Sequence, residues 1–433
     1  MIPISPQIYP HFTCPQCTNS SPTIEKIIFQ GVHILADVTC AGCNGKFLMD
    51  FPIGHAMLYP TTIDKNTHTI VGEKNKDHSW FKDTLLEAYL SPKDDLVEVK
   101  KTVSKTCEEV IILNCLDVLY GHVLLKIFNA THYQQKHPDK GLILIIPQSF
   151  AWLVPDGIAE VWTIDLRLSQ FKNWYKSLEN VIQDCLPNYK KVYLSLGYPI
   201  PDYQGLSIEP FSKVAPFSLD KFPTKPLQVS FIWREDRLWF RNKLEQFCFL
   251  AFRKFKLFQS IPLLKKIFIS FQIQRVNKLG RYLKKSHPSL TLNVIGLGKT
   301  GRFSKSIQDL RSSNITFETE KQWCEKYAES HIVVGIHGSN MLLPTAHAAG
   351  FVEIMPDERL GNWLQDIFQP SSGKVESFLG RFVPDYSSPR RVANYTSGIL
   401  AHFEKFYLRE ASRFHPYDEV DKVDDIFKNF HRG

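Results

Sequence analysis

Short β-branched and aliphatic runs alternate with helix-patterned segments along most of this 433-residue chain, and that alternation constrains its fold more than any other feature. "EVIILN" (Glu109–Asn114) precedes "HVLLKIFNATHYQQKH", whose apolar residues recur at helical spacing, and "GLILIIP", "AEVWTIDL" and "KKVYLSL" follow as strands. Strands separated by helices pair in parallel, with the helices lying on the sheet faces. Residues 197–226 then carry six prolines and no periodicity, the pattern of an interdomain linker. Beyond them the alternation restarts, with "LQVSFIW", "LTLNVIGLG", "ITFETE", "HIVVGI" and "GFVEIMP" as expected strands. Two doubly wound, Rossmann-like α/β domains are predicted, over 61–222 and 223–391, followed by a charged, mostly helical tail over 392–433. Ligands of such folds bind outside the C-terminal ends of the strands, and a cleft is expected where the strand edges of the two domains meet.

Ahead of the first domain, "CPQC" and "CAGC" supply Cys14, Cys17, Cys40 and Cys43 as two knuckles separated by 22 residues. Each knuckle presents two sulfurs from one tight turn, so together they can set four thiolates in a tetrahedron around zinc. With every position filled by sulfur such a site is structural, and a zinc ribbon is expected over 1–60. Two disulfides would require an oxidising compartment, and the opening "MIPISPQIYP" has neither the basic nor the apolar region of a signal peptide. The other cysteines, Cys107, Cys115, Cys185, Cys248 and Cys324, sit in apolar surroundings and read as core.

The composition, 43% hydrophobic and 22% charged, is that of a globular domain protein, and no run of about 18 apolar residues predicts a membrane span. A cytoplasmic location is expected. The formal charge of +8 is local, because residues 246–308 hold thirteen Lys/Arg and no acid. Within that region, 247–285 interleaves aromatic and aliphatic residues with Lys and Arg, which suits a helix lying on an anionic membrane surface. A core-packing helix with a solvated basic face has the same pattern. Nucleic acid is not favoured, since no recognised binding motif accompanies the charge.

Three loops of the second domain follow strands directly: "REDR" (234–237), "GLGKTGRF" (296–303) and "HGSN" (337–340). Arg234 and Arg237 could clamp a diphosphate, or pair with Glu235 and Asp236 as a surface ladder. Gly338 lets backbone approach a ligand, Ser339 and Asn340 offer N–H groups at a helix start, and His337 can donate to a phosphate or sugar oxygen. An ordinary turn with Ser339 or Asn340 as N-cap is the alternative.

The run "KQWCEKYAESHIVVGIHGSNMLLPTAHAAGFVEIMP", with "VSFIWREDR" at the head of the domain, resembles the donor-binding half of glycosyltransferase family 61 and its GT-B relatives. The resemblance covers about 150 residues in patches and implies that Arg234, Arg237, His337, Gly338 and Ser339 lie near a nucleotide-sugar, with Glu353 nearby or buried as a structural carboxylate. It extends to "YGHVLLKIFNA", where the family has Gly-His, here Gly121 and His122, at the first helix of the acceptor domain. Ser339-Asn340 replaces the family's Ala-Gly, and the zinc ribbon is foreign to the family.

The resemblance implies an inverting, metal-independent transfer from a nucleotide-diphosphate sugar to an acceptor hydroxyl, in glycan or surface polysaccharide synthesis; a lipid-linked glycan is the expected acceptor if the basic aromatic segment meets the membrane, and a protein presented to the ribbon is the alternative. Such a transfer needs a base and positive charge for the departing diphosphate. His122 is the expected base, with Asp117 orienting it or acting in its place, and His55 and Asp156 are lesser candidates. The ribbon would recruit an acceptor or stabilise the acceptor domain. Two other classes compete. "GLGKTG" is a G-x-G-x-x-G with Gly298 at its centre, and with Glu318 or Glu320 on the ribose it would make an NAD(P)-dependent oxidoreductase. A non-catalytic binding protein built around the ribbon is the other.

Overall fold

The computed structural model describes residues 1–8, 12–19, 22–71, 79–198, 206–362 and 379–403. The chain divides into two compact units, Met1–Asp202 and Tyr203–Gly433.

The first unit is organised around a six-stranded sheet formed by β1 (Ile2–Ser5), β7 (Val99–Val103), β8 (Glu109–Asn114), β9 (Gly141–Pro147), β10 (Glu160–Ile164) and β11 (Lys191–Leu194). The spatial order is β1-β11-β8-β9-β10-β7, with the four inner strands parallel and the two edges antiparallel. Val110, Ile112, Ile143 and Ile145 are buried because a parallel sheet is covered on both faces. Only the β8–β9 crossover contains a long helix, α2 (Tyr120–Lys136), buried through Val123, Leu124, Ile127 and Phe128. The crossovers after β9 and β10 run through short 3-10 turns, so the expected helix-for-strand alternation holds here for one connection only.

A five-stranded antiparallel meander replaces the missing helices: β2 (Thr23–Gln30), β3 (His33–Thr39), β4 (Lys46–Asp50), β5 (Thr62–Asp64) and β6 (Thr69–Val71). Its Ile27, Phe29, Ile34, Ala36 and Phe47 share one core with Val110, Ile112, Ile145, Trp162 and Val192 of the large sheet. The ribbon expected over 1–60 is therefore part of the first unit rather than a separate body, and its meander runs on to Val71. Helix α1 (Ser79–Leu90) buries Phe81 and Leu85.

The second unit has an all-parallel sheet of β12 (Gln228–Trp233), β13 (Thr291–Gly296), β14 (Ile307–Asp309), β15 (Ile332–Ile336), β16 (Gly350–Met355) and β17 (Gly380–Pro384), ordered β14-β13-β12-β15-β16-β17. Its helices include α3 (Glu209–Ser212), α4 (Lys243–Lys254), α5 (Leu257–Ser260), α6 (Pro262–Ser286), α7 (Phe317–Ala328), α8 (Leu342–His347) and α9 (Pro389–Ala401). "ITFETE" is not the expected strand. Thr316 caps α7 by accepting from Thr319 N at 3.2 Å, and Glu318 and Glu320 lie in the first turn, where the helix dipole favours carboxylates. The strand in that place is β14, which begins at Ile307 rather than at Ile315. Of the expected C-terminal helical tail, α9 is observed, and residues 404–433 lie outside the described ones. Among the described residues no helix is long and apolar enough to cross a membrane.

Candidate functional site

Both sheets reverse their winding direction once, and the chemistry-bearing residues gather at the two reversals. In the first unit β8 is flanked by β9 on one side and β11 on the other, which makes the C-terminal end of β8 a topological switch point. The loop leaving it carries Asp117. The turn after β4, Gly54–Met57, is held beside it by Gly54 N donating to Leu196 O at 2.8 Å, and this brings His55 across 62 residues of sequence. His122 arrives from the first turn of α2.

His55 Nε2 lies 3.2 Å from Asp117 Oδ2 and 3.1 Å from His122 Nδ1, and His122 Nδ1 lies 3.2 Å from Asp117 Oδ1. Lys126, one helical turn beyond His122, donates from Nζ to Asp117 Oδ2 at 2.9 Å and to Leu116 O at 2.8 Å. Burial opposes the charge of Asp117, but the Lys126 ammonium and the hydrogen bonds of both histidines hold its carboxyl well below the ordinary range. Desolvation lowers His55 in spite of the Asp117 hydrogen bond. In the arrangement where Asp117 accepts from His122 Nδ1, the basic lone pair is on Nε2, and the His122 side chain is 20% exposed. Ligand atoms of His55, Asp117 and His122 all lie within 4.8 Å, a spacing that also suits a metal ion. Lys126 already supplies the counter-charge to Asp117 and would repel a cation there.

The cluster borders a cavity of about 280 Å³ lined by Val32, His33, Trp80, Phe81, Ser169 and Lys172 together with His55 and Asp117. His33 Nδ1 and Asp50 Oδ2 form a second buried pair 2.5 Å apart, and burial raises the Asp50 carboxyl against the pull of His33. Sequence reasoning missed Lys126, His33, Asp50 and Lys172. Lys126 alone had a signal, its i+4 spacing from His122 on a recognised helix. Asp156 is exposed, in the loop that enters β10, at the opposite strand edge from Asp117.

In the second unit β12 lies between β13 and β15, so the switch point falls between the ends of β12 and β15. Arg234 donates from Nη1 to Asn340 Oδ1 at 2.6 Å across it, and Arg237 Nη1 donates to His337 O at 3.1 Å. Arg234 also pairs with Asp236 through Nε at 2.8 Å. Burial lowers Arg237, and the Arg234 and Arg359 guanidiniums push in the same direction against the opposing pull of Asp236 and Glu358, so arginines and carboxylates alternate at this turn. Gly338 has φ +148°, and a Cβ there would stand 3.1 Å from Arg237 Nη1, so the side-chain-free backbone and the guanidinium close on one another.

His337 is not presented for donation to a phosphate or sugar oxygen, as the sequence suggested. It is fully buried, with Nδ1 2.5 Å from the equally buried Glu353 Oε2 of β16, which places Glu353 as a structural carboxylate behind the turn. Ser339 and Asn340 occupy a 3-10 turn, Ser339–Met341, and α8 beyond it has only six residues, too short for the anion-binding helix start that the sequence suggested.

The glycine loop is also reassigned. Glu235 accepts from Thr300 N and Thr300 Oγ1, each at 2.9 Å, and a Cβ at Gly298 would fall 2.4 Å from Glu235 Cδ. A carboxylate of the chain thus fills the loop where a pyrophosphate would rest. No helix starts after it, and Glu318 and Glu320 belong to α7, so the dinucleotide arrangement of strand, loop and helix is not formed.

The four cysteines converge as expected. One knuckle lies between β1 and β2 and the other joins β3 to β4, and Thr18 and Asn44 take positive φ to close the turns. Sγ–Sγ separations are 3.6 Å for Cys14–Cys43 and 3.5 Å for Cys17–Cys40. A tetrahedron with zinc–sulfur bonds of about 2.3 Å has edges of about 3.8 Å, so the donor set fits the ion with small adjustments.

No protein-family model matches the chain, and no curated protein matches it in sequence. Among solved structures it is similar to the E. coli ADP-heptose LPS heptosyltransferase II, at 10% identity, TM-score 0.38, covering 68% of this chain and 99% of that one. It is similar to E. coli heptosyltransferase WaaC with ADP at 12% identity, TM-score 0.37, with coverage of 68% and 99%. The dodecameric iron-containing heptosyltransferase TibC in complex with ADP-D-β-D-heptose matches at 10% identity, TM-score 0.30, covering 63% of each chain. TM-scores below 0.5 carry no argument about activity. The family 61 resemblance gains no support from any of these matches.

Proposed function

We propose that the chain is a glycosyltransferase that takes a sugar from a nucleotide-diphosphate donor to an acceptor hydroxyl. One observation carries the reading: Arg234, Arg237 and the Gly338 turn meet at the switch point of an all-parallel sheet, where two guanidiniums beside a side-chain-free turn suit a diphosphate that would compete with Asp236 for Arg234. The second unit would hold the donor. The first unit would hold the acceptor, with His122 Nε2 taking the proton of the attacking hydroxyl and Asp117 fixing the imidazole and stabilising its charged form. Lys126 keeps Asp117 ionised for that task. His55 shares the carboxylate and braces the ring. Direct displacement by a base-activated hydroxyl inverts the anomeric carbon and needs no metal, because arginines meet the leaving diphosphate. Cys14, Cys17, Cys40 and Cys43 would hold one structural zinc. The acceptor would be a glycan, lipid-linked or protein-borne, in polysaccharide assembly.

The test is release of nucleoside diphosphate from a panel of nucleotide sugars offered with glycan acceptors. His122→Ala should lower turnover by about 10²–10⁴-fold, the usual contribution of a general base, with nucleotide affinity unchanged. Full turnover in His122→Ala would remove the base assignment, and no release with any donor would remove the activity.

A further inference from the structure

We propose that the outer face of α4 and the first half of α6 docks on the surface of an anionic lipid bilayer. These helices are fixed inward by an aromatic cluster in which Phe249 lies 5.0 Å from Phe258 and 5.4 Å from Phe268, centroid to centroid. The core side of α6 is thereby used, through Phe268, Ile269, Gln272, Ile273 and Val276. Yet Leu263, Ile267 and Phe271 recur at i, i+4 and i+8 on its opposite side, 64%, 41% and 40% exposed. α4 repeats the pattern, with Leu244 and Phe247 exposed at 70% and 68% and Phe255 at 71% just beyond its end. Single exposed apolar residues are ordinary, but nine of the exposed large ones among the described residues fall between Leu244 and Tyr282. A helix that is apolar on two sides meets a second non-aqueous phase.

Charge selects that phase. Lys254, Lys256 and Lys266 stand exposed among these residues, and residues 246–308 contain no acid. The acid of α4, Glu245, is consumed by Arg275. Aliphatic and aromatic side chains interleaved with lysines, whose stems can lie along the apolar surface while the ammonium reaches headgroups, are the composition of an interfacial helix. Nucleic acid would take the charge but give Leu263 and Ile267 nothing to bury. The inference is independent of the proposed activity.

Flotation of the full chain with phosphatidylcholine vesicles, with and without phosphatidylglycerol, tests it. Binding is expected only with the anionic lipid and should weaken with salt. Lys254→Gln and Lys266→Gln should each cost about fivefold in partitioning. Phe247→Ser combined with Phe255→Ser should cost at least about tenfold per residue, with an unchanged melting temperature showing that the fold is intact. No flotation, equal flotation with neutral vesicles, or phenylalanine variants that float like the parent would overturn the proposal. So would salt-dependent binding to duplex DNA, or self-association lost in the phenylalanine variants, in the absence of vesicle binding.

Discussion

Lys126→Met removes the ammonium that compensates Asp117 and keeps most of the side-chain volume. The two side chains are 3% and 1% exposed, and Nζ makes both the 2.9 Å bond to Oδ2 and the 2.8 Å bond to Leu116 O. Breaking one partner out of a buried ion pair costs about 3–5 kcal/mol. Because His55 and His122 still face the carboxylate, the lower end, about 3 kcal/mol, is expected in urea unfolding near neutral pH. The pH dependence has a defined sign. Asp117 is depressed in the folded chain, so its contribution is present above the unfolded carboxylate pKa and is lost as pH falls through the folded value. Without Lys126 the folded value rises, so the deficit of the variant should narrow as pH falls into the carboxylate range. In an Asp117→Asn background the lysine has no charge to balance, and Lys126→Met should cost far less. A cost below about 1 kcal/mol in the parent, or an equal cost in both backgrounds, would refute the assignment of Lys126 as the counter-ion.

Four other outcomes follow. Burial lowers His347 to about 4, with Ser212 Oγ 2.8 Å away, so its contribution is present above the unfolded value near 6.5 and disappears between there and pH 4; this amounts to about 3 kcal/mol, and His347→Gln should flatten that part of the profile. Metal analysis of the purified chain should return one zinc, lost in Cys17→Ser and retained in His55→Ala; a second metal lost with His55 would mean that the histidine cluster is a metal site after all. Gly298→Ala forces a side chain onto φ +106° against Glu235 and should destabilise by about 1–3 kcal/mol in denaturant melts. NAD(P) should cause no change in melting temperature, since Glu235 occupies the glycine loop, and a shift would reopen the oxidoreductase reading.

The inner strands of both sheets were legible because most are short apolar runs with a sharp end, as in "GLILIIP" and "HIVVGI", whereas the edge strands β1, β7, β14 and β17 are short or polar and were not. "ITFETE" misled because Ile, Thr and Phe favour strands locally while the Thr316 cap and two early glutamates favour a helix start, and the cap prevailed. The four-cysteine cluster was legible from spacing alone. The His55–Asp117–His122 cluster was legible in part: Asp117 and His122 share a loop and a helix start, whereas His55 depends on the packing of a meander whose position no local pattern records. The ligand contact expected of His337 failed for a similar reason, since its partner Glu353 lies on the neighbouring strand and draws the ring inward.

The most direct test of the account is a thermal-shift titration of the chain with UDP, GDP, CDP, dTDP and ADP, repeated on Arg234→Ala. At about 100 times its dissociation constant a ligand adds about 2.7 kcal/mol. The account predicts a shift with at least one nucleoside diphosphate, abolished in Arg234→Ala while the unliganded melting temperature stays within the range of a surface substitution. No shift with any of them, or a shift that Arg234→Ala leaves intact, would contradict the placement of a donor diphosphate between β12 and β15.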